Sequence, residues 1–188
     1  MIFEKKELIL KNGQTCILRP VEVKDAEAMI QYLRIVSAET PFLLRNEDEV
    51  TYTVASEEQL LENKRNHPRE LMMVAEVEGK IAGSCGIDSK GSLRRVYHRC
   101  DFAIALKKAY WSLGIGSEMM DYAFSLAKGM GYEQAELEVV DGNDRAKGLY
   151  ERFGFMETGI TIHALKYDDG SYRDECKMIK ILADHMTD

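Results

Sequence analysis

The chain has 188 residues, 45% of them hydrophobic and 30% charged, which suits one globular domain with a sizeable core and argues against extended disorder. A formal net charge of −7 argues against general nucleic-acid binding, which leans on basic side chains, and fits either simple solubility or a cationic substrate. The cysteines (Cys16, Cys85, Cys100 and Cys176) form no CxxC pair and sit near no His at zinc spacing. No metal site is therefore read, and they suit reduced thiols of a cytoplasmic protein. "MIFEKKELIL" lacks the apolar core of a signal peptide, and no run approaches the ~18 apolar residues of a membrane span.

"QTCILRP" (14–20) alternates up to Pro20 and predicts a first strand. From Asp25, read as an N-cap, "DAEAMIQYLRIV" sets Ala26, Met29, Ile30, Leu33 and Val36 on one helical face. "SAETPFLLRNEDEV" is long and mixed, and predicts a loop or broken helix of the kind that meets ligands. "SEEQLLENKRN" carries Ser56 and Gln59 at capping-box spacing, so a second helix is expected to start there. In "LMMVAEVEGKIAGSCGI" two apolar runs flank "EGK", a tight hairpin. "HRCDFAIAL" (98–106) predicts another strand, followed by "YWSLGIGS". Met119, Met120, Ala123, Phe124 and Ala127 then recur at helical spacing until Gly129 and Gly131 stop them. "QAELEVV" (134–140) alternates as a strand, "NDRAKGLYERF" is a short helix beginning at Asn143, and "GFMETG" and "YRDECKMIKIL" complete the strands. Antiparallel hairpins followed by strand–helix–strand–helix–strand make an α/β sandwich on one mixed sheet.

The glycines of "LGIGS" admit several readings. A Walker A loop needs a Lys that is absent here, and a dinucleotide fingerprint needs a third glycine where Met119 stands. Two readings survive: an ordinary tight turn, or a cradle in which the open N–H groups of a helix N-terminus receive a phosphate and side chains stay out of the way. Downstream, Asn143 and Tyr150 are about seven residues, or two helical turns, apart and so share a helix side. An Asn amide can hold an amide-bearing chain, and a Tyr hydroxyl can donate a proton.

"YWSLGIGS" together with "NDRAKGLYERFGF" resembles the GCN5-related N-acetyltransferase (GNAT) superfamily, in a bacterial branch of unassigned substrate. The first stretch is similar to the acyl-CoA pyrophosphate loop, and the second to the segment that lines the pantetheine arm. One helix and one strand separate them, as in the family. Trp111 stands at the family's Gln/Arg position, which removes one polar contact to phosphate and leaves the backbone donors. The resemblance spans about 14–182 and implies a single acetyltransferase domain over 1–188, with a mixed, mostly antiparallel sheet splayed at the cofactor slot and flanked by helices.

It further implies transfer of acetyl from acetyl-CoA to a primary amine of a small molecule or peptide. The contrasting function is a non-catalytic acyl-CoA-binding sensor or subunit. Ser112, Leu113, Gly114, Ile115, Gly116 and Ser117 would cradle the pyrophosphate. Ile104, Ala105 and Leu106 would pair with the pantetheine like an added strand, and a backbone N–H near Ile104 or Ala105 would stabilise the oxyanion. Asn143 and Ala146 would line the arm. Tyr150 would be the general acid, against the alternative of an aromatic packed beside Leu149 and Phe153. The base stays open among Asp101, His98 and Glu39, since alternation sends 98 and 101 to opposite faces of a strand. Arg145 and Lys147 are read as a solvated helix face, with the CoA 3'-phosphate as the alternative. The acceptor would be lined by 37–56, 88–98 and 163–172. A homodimer accords with the resemblance, while a nucleic-acid or membrane partner does not.

Overall fold

The computed structural model describes residues 1–183, so the last five of the expected 1–188 domain lie outside them. The chain forms two compact units, Met1–Asp88 with Ala103–Met130 and Ser89–Phe102 with Gly131–Asp188.

The first unit is built on β1 (Lys6–Ile9), β2 (Thr15–Pro20), β3 (Leu71–Val77) and β4 (Lys80–Ser89), antiparallel neighbours in that order. β1 falls in "KELI", which the sequence reading leaves unassigned because its largely exposed, charge-rich side chains show no alternation. The β3–β4 hairpin turns at Glu78 and Gly79, with φ of 50° and 74°. Paired left-handed residues give the twist that the flanking strands require.

Helix α1 (Ala26–Glu39) begins after Asp25, its N-cap residue, yet the Asp25 side chain makes no cap bond to it. Its carboxylate instead accepts from the Glu22 N–H at 2.8 Å and pairs with Arg19 at 2.7 Å. Helix α2 (Val54–Asn66) starts earlier than expected. Thr53 is its N-cap, and Ser56 is the partner in the capping box, not its first residue. The core of this unit gathers Val21, Ala26, Met29, Tyr32, Val36, Leu61, Val74 and Ile81. Tyr32 takes the interior place on α1, and Leu33 is only partly buried. Helix α3 (Ile115–Gly129) buries Ile115, Met119, Met120, Ala123, Phe124 and Ala127, the expected stripe with one more residue at its start. Each large member of that stripe contributes about 1.5–3 kcal/mol by leaving water. Gly131, at φ 80°, follows the helix end.

The second unit orders its strands β5-β6-β8-β7: β5 (Arg99–Leu106, whose last four residues belong to the first unit), β6 (Gln134–Val140), β7 (Met156–Lys166) and β8 (Tyr172–Ile181). β5 and β6 are parallel over Arg99–Asp101 and Gln134–Glu136, while β8 is antiparallel to both β6 and β7. Helix α4 (Asp144–Arg152) connects β6 to β7. β7 is longer than its sequence cue because two register irregularities interrupt the alternation, at Glu157/Gly159 and Thr161/Leu165. The fold class is thus mixed α/β, a mostly antiparallel sheet with flanking helices. Among the described residues no helix is long and apolar enough to cross a membrane, and no three His, Cys, Asp or Glu side chains gather to hold a metal.

Candidate active site

In the first unit, the loop before α3 is shaped by backbone. Ser112 has φ 64° and Gly114 φ 96°, and Gly114 is the N-cap residue of α3. At that φ an L side chain is strained, so glycine is required by conformation. With no side chain, it caps nothing: its carbonyl accepts the Glu118 N–H at 3.2 Å, but the first helical N–H groups receive no acceptor. From Leu113 through Ser117, no backbone N–H donates to any group among the described residues. Five consecutive open donors at the positive end of a 15-residue helix form a receptor for an anion.

The end of β5 leads into this loop. The Tyr32 hydroxyl, fully buried, donates to the Ala105 carbonyl at 2.8 Å and accepts the Ser84 N–H at 3.1 Å. The Trp111 indole N–H donates to the Leu106 carbonyl at 2.8 Å. Trp111 therefore serves the loop as a tie to β5, a role its place in the motif does not reveal. Gly83 lets β5 approach: a Cβ there would stand 2.8 Å from Leu106 Cγ and 2.9 Å from the Ala105 oxygen. Glu39, at the end of α1, accepts the Lys108 N–H at 2.7 Å and so fixes the turn after β5. Tyr32 was absent from the expected helical face, although its spacing from Met29 and Val36, i+3 and i−4, carried the signal.

In the second unit, Asn143 is the N-cap of α4, and its Oδ1 accepts the Ala146 N–H at 3.3 Å. The amide oxygen is thereby engaged, and Nδ2 is the group left for a ligand. Tyr150 is buried on α4, its ring 5.8 Å from that of Phe155. Burial pushes its hydroxyl up to about 12, and the hydroxyl has no hydrogen-bond partner among the described residues. Tyr150 thus packs as an aromatic against Phe155, with its hydroxyl held in the protonated form. Lys147 pairs with Glu157, in keeping with a solvated helix face.

The three candidates for the base are differently placed. His98 precedes β5 and is not part of it, and its carbonyl accepts the Glu133 and Gln134 N–H groups at 2.8 and 3.2 Å. Asp101 lies on β5 and is paired with Lys90 at 2.5 Å. Lys90 also reaches Glu136 at 3.4 Å, and Arg99 binds Glu136 through two nitrogens. Burial pushes the Glu136 carboxyl up, but Arg99, Gln134 and Lys90 together bring it below its ordinary value. Lys90 and Glu136 were not anticipated: the β5–β6 register sets Glu136 beside Asp101, and Lys90, just after β4, reaches both.

This chain belongs to the acetyltransferase (GNAT) family, whose model matches residues 36–155. Among solved structures, the acetyltransferase of GNAT family from Streptococcus pneumoniae is 29% identical, with a TM-score of 0.84 over 88% of this chain and 99% of that one. YncA from Salmonella typhimurium, solved with its cofactor acetyl-CoA, is 15% identical and shares the fold, with a TM-score of 0.77 over 91% of this chain and 96% of its own. A Bacillus subtilis (strain 168) protein provisionally named as a ribosomal protein bS18-alanine N-acetyltransferase is 32% identical over 102 residues. That match covers 54% of this chain and 62% of the relative.

Proposed function

We propose that the chain is an acetyl-CoA-dependent N-acetyltransferase that moves acetyl directly onto a primary amine of a small molecule or peptide, working as one cytoplasmic acetyltransferase domain. The observation that carries this reading is the run of open N–H donors from Leu113 to Ser117 at the uncapped start of α3, in a chain of this family. The acetyl-CoA held by the Salmonella relative supports the same choice of ligand. Acetyl-CoA supplies the activated thioester. The protein supplies backbone donors for the pyrophosphate at Leu113–Ser117, backbone of Ile104–Leu106 and the Asn143 Nδ2 for the pantetheine, and an N–H near Ile104 or Ala105 for the oxyanion.

Tyr150 meets the leaving sulfur. A hydroxyl raised to about 12 stays protonated throughout the physiological range, so the donor is always loaded. Complete transfer to an ordinary thiolate, with a pKa near ~8.5, is uphill by about three units. Its first contribution is therefore a hydrogen bond to the developing thiolate, worth about 1.5–3 kcal/mol for a charged acceptor.

The test is thiol release from acetyl-CoA with a panel of primary amines, run beside CoA binding. Turnover with at least one amine is expected. Tight CoA binding with no turnover on any amine would leave a binding protein, the sensor or subunit reading.

A further inference from the structure

β4 and β5 are neighbours in the sheet, and within the first unit a side chain stands between them. Just past the end of β5, the Lys107 N–H donates directly to the Ala82 carbonyl at 3.0 Å. Two residues on along β4 and two back along β5, Ser84 comes opposite Ala105. There the direct bond is replaced by two. The Ser84 N–H donates to the Tyr32 hydroxyl at 3.1 Å, and that hydroxyl donates to the Ala105 carbonyl at 2.8 Å. A phenol from α1 is thus a spacer in the ladder.

The spacer is held firmly. Tyr32 is 1% exposed and shares the core with Met29, Val36, Leu61 and Val74. The Lys107 ammonium lies 5.8 Å from the centre of its ring. Burial pushes the hydroxyl's pKa up, so it keeps the proton that lets it donate while it accepts. β4 also leaves room for the carbonyl that Tyr32 holds. A Cβ at Gly83 would stand 2.9 Å from the Ala105 oxygen, so glycine is what fits.

The consequence falls on the opposite edge of β5. A trans peptide unit is planar, with its C=O and N–H pointing in opposite directions. The Ala105 carbonyl and the Leu106 N–H belong to one such unit. Holding the carbonyl toward β4 therefore aims the Leu106 N–H away from β4. The Leu106 carbonyl accepts the Trp111 indole N–H at 2.8 Å, so the next peptide is tied as well. Without the Tyr32 hydroxyl, Ser84 and Ala105 would close on each other or stay unpaired in a buried place. Either outcome turns the peptide plane.

We propose that Tyr32 is a positioning residue for the pantetheine arm of the cofactor: its hydroxyl holds the Ala105–Leu106 peptide so that the Leu106 N–H meets a pantetheine carbonyl. This rests on the reading that acetyl-CoA lies along Ile104–Leu106. Tyr32 touches no part of the cofactor and acts through the backbone of β5.

The experiment is calorimetric titration of the full chain, Tyr32→Phe and Gly83→Ala with two ligands. One is CoA. The other is adenosine 3'-phosphate 5'-diphosphate, which is CoA without its pantetheine. Tyr32→Phe keeps the ring and removes only the hydroxyl. It should bind CoA about tenfold more weakly, the loss of one hydrogen bond, and bind the nucleotide as the parent does. Gly83→Ala keeps the hydroxyl and displaces the same carbonyl from the β4 side, so it should show the same selective loss. A merely structural role for Tyr32 would weaken both ligands together. The proposal is overturned if Tyr32→Phe binds CoA like the parent, or if it loses CoA and nucleotide alike. Should Tyr32→Phe fail to fold, Gly83→Ala decides alone, and parent affinity for CoA there overturns the proposal. A parent chain that does not bind CoA would overturn the acetyl-CoA reading and this proposal with it. The selective loss without thiol release to any amine would fail the acetyltransferase reading and leave Tyr32 in its positioning role.

Discussion

Two strand-to-helix turns in this protein start alike and end differently. At α4, Asn143 closes the helix with its own side chain, accepting the Ala146 N–H at 3.3 Å. At α3, Gly114 has no side chain to offer, and the N–H groups from Leu113 to Ser117 stay open. A stability argument alone favours the Asn cap, by about a few tenths of a kcal/mol over Gly. The open turn forgoes that gain. What it gains is a backbone surface that an external anion can complete.

The largest effect that breaks this contrast should come from Gly116→Val, which sets a branched side chain among the open donors. CoA affinity should fall about a hundredfold, the loss of one or two hydrogen bonds to a charged acceptor, while the melting temperature moves little. Calorimetric titration with CoA checks it, and unchanged affinity would make the loop a plain turn. Next is Tyr150→Phe. Removing a donor to a developing thiolate should cost about 10–100-fold in kcat with CoA affinity nearly unchanged. A variant with the parent rate would leave Tyr150 a packed aromatic only.

Asn143 sharpens the comparison because its two amide atoms are separable. Asn143→Asp keeps an oxygen for the Ala146 N–H but removes Nδ2, whereas Asn143→Ala removes both. The Ala variant should lose about 1 kcal/mol of stability and the Asp variant much less. CoA affinity should drop by a few fold in both. A drop in Ala alone would mean that Asn143 acts only as a cap.

The smallest effect lies with Asp25, the residue expected to cap α1. Burial pushes its carboxyl up, but hydrogen bonds from Arg19 and the Glu22 N–H outweigh burial and hold it below its ordinary value. A depressed folded-state pKa means stability that is fully present above about pH 4 and lost as pH falls through the folded value. Melting temperature should therefore decline below pH 4, and Asp25→Asn should flatten that decline. A variant with the parent's pH profile would show that the acid loss comes from elsewhere.

The contrast also explains what could be read from the sequence. "QAELEVV" gave the bounds of β6, because one face is buried and the other wet, and alternation follows. α3 was legible for the same reason at helical period. β1 was not, since an exposed edge strand has no buried face to mark it. The start of α2 was displaced because Thr53 and Ser56 are both good capping residues, and only geometry selects between them. Glycines at 114 and 116 marked the loop, but the φ that demands Gly114 and the tie from Trp111 to Leu106 are three-dimensional facts. The base is the least legible element. Glu39 and Asp101 are each engaged by a neighbour, the Lys108 N–H and Lys90, and no local pattern announces either contact.

The central claim is that the uncapped turn before α3 holds the pyrophosphate of CoA. The most direct measurement is an amide NMR titration of the full chain with CoA. The amides of Leu113 to Ser117 should move strongly downfield together as they gain acceptors, with Ala146 shifting far less because Asn143 already caps it. Saturable CoA binding that leaves those five amides in place would contradict the account.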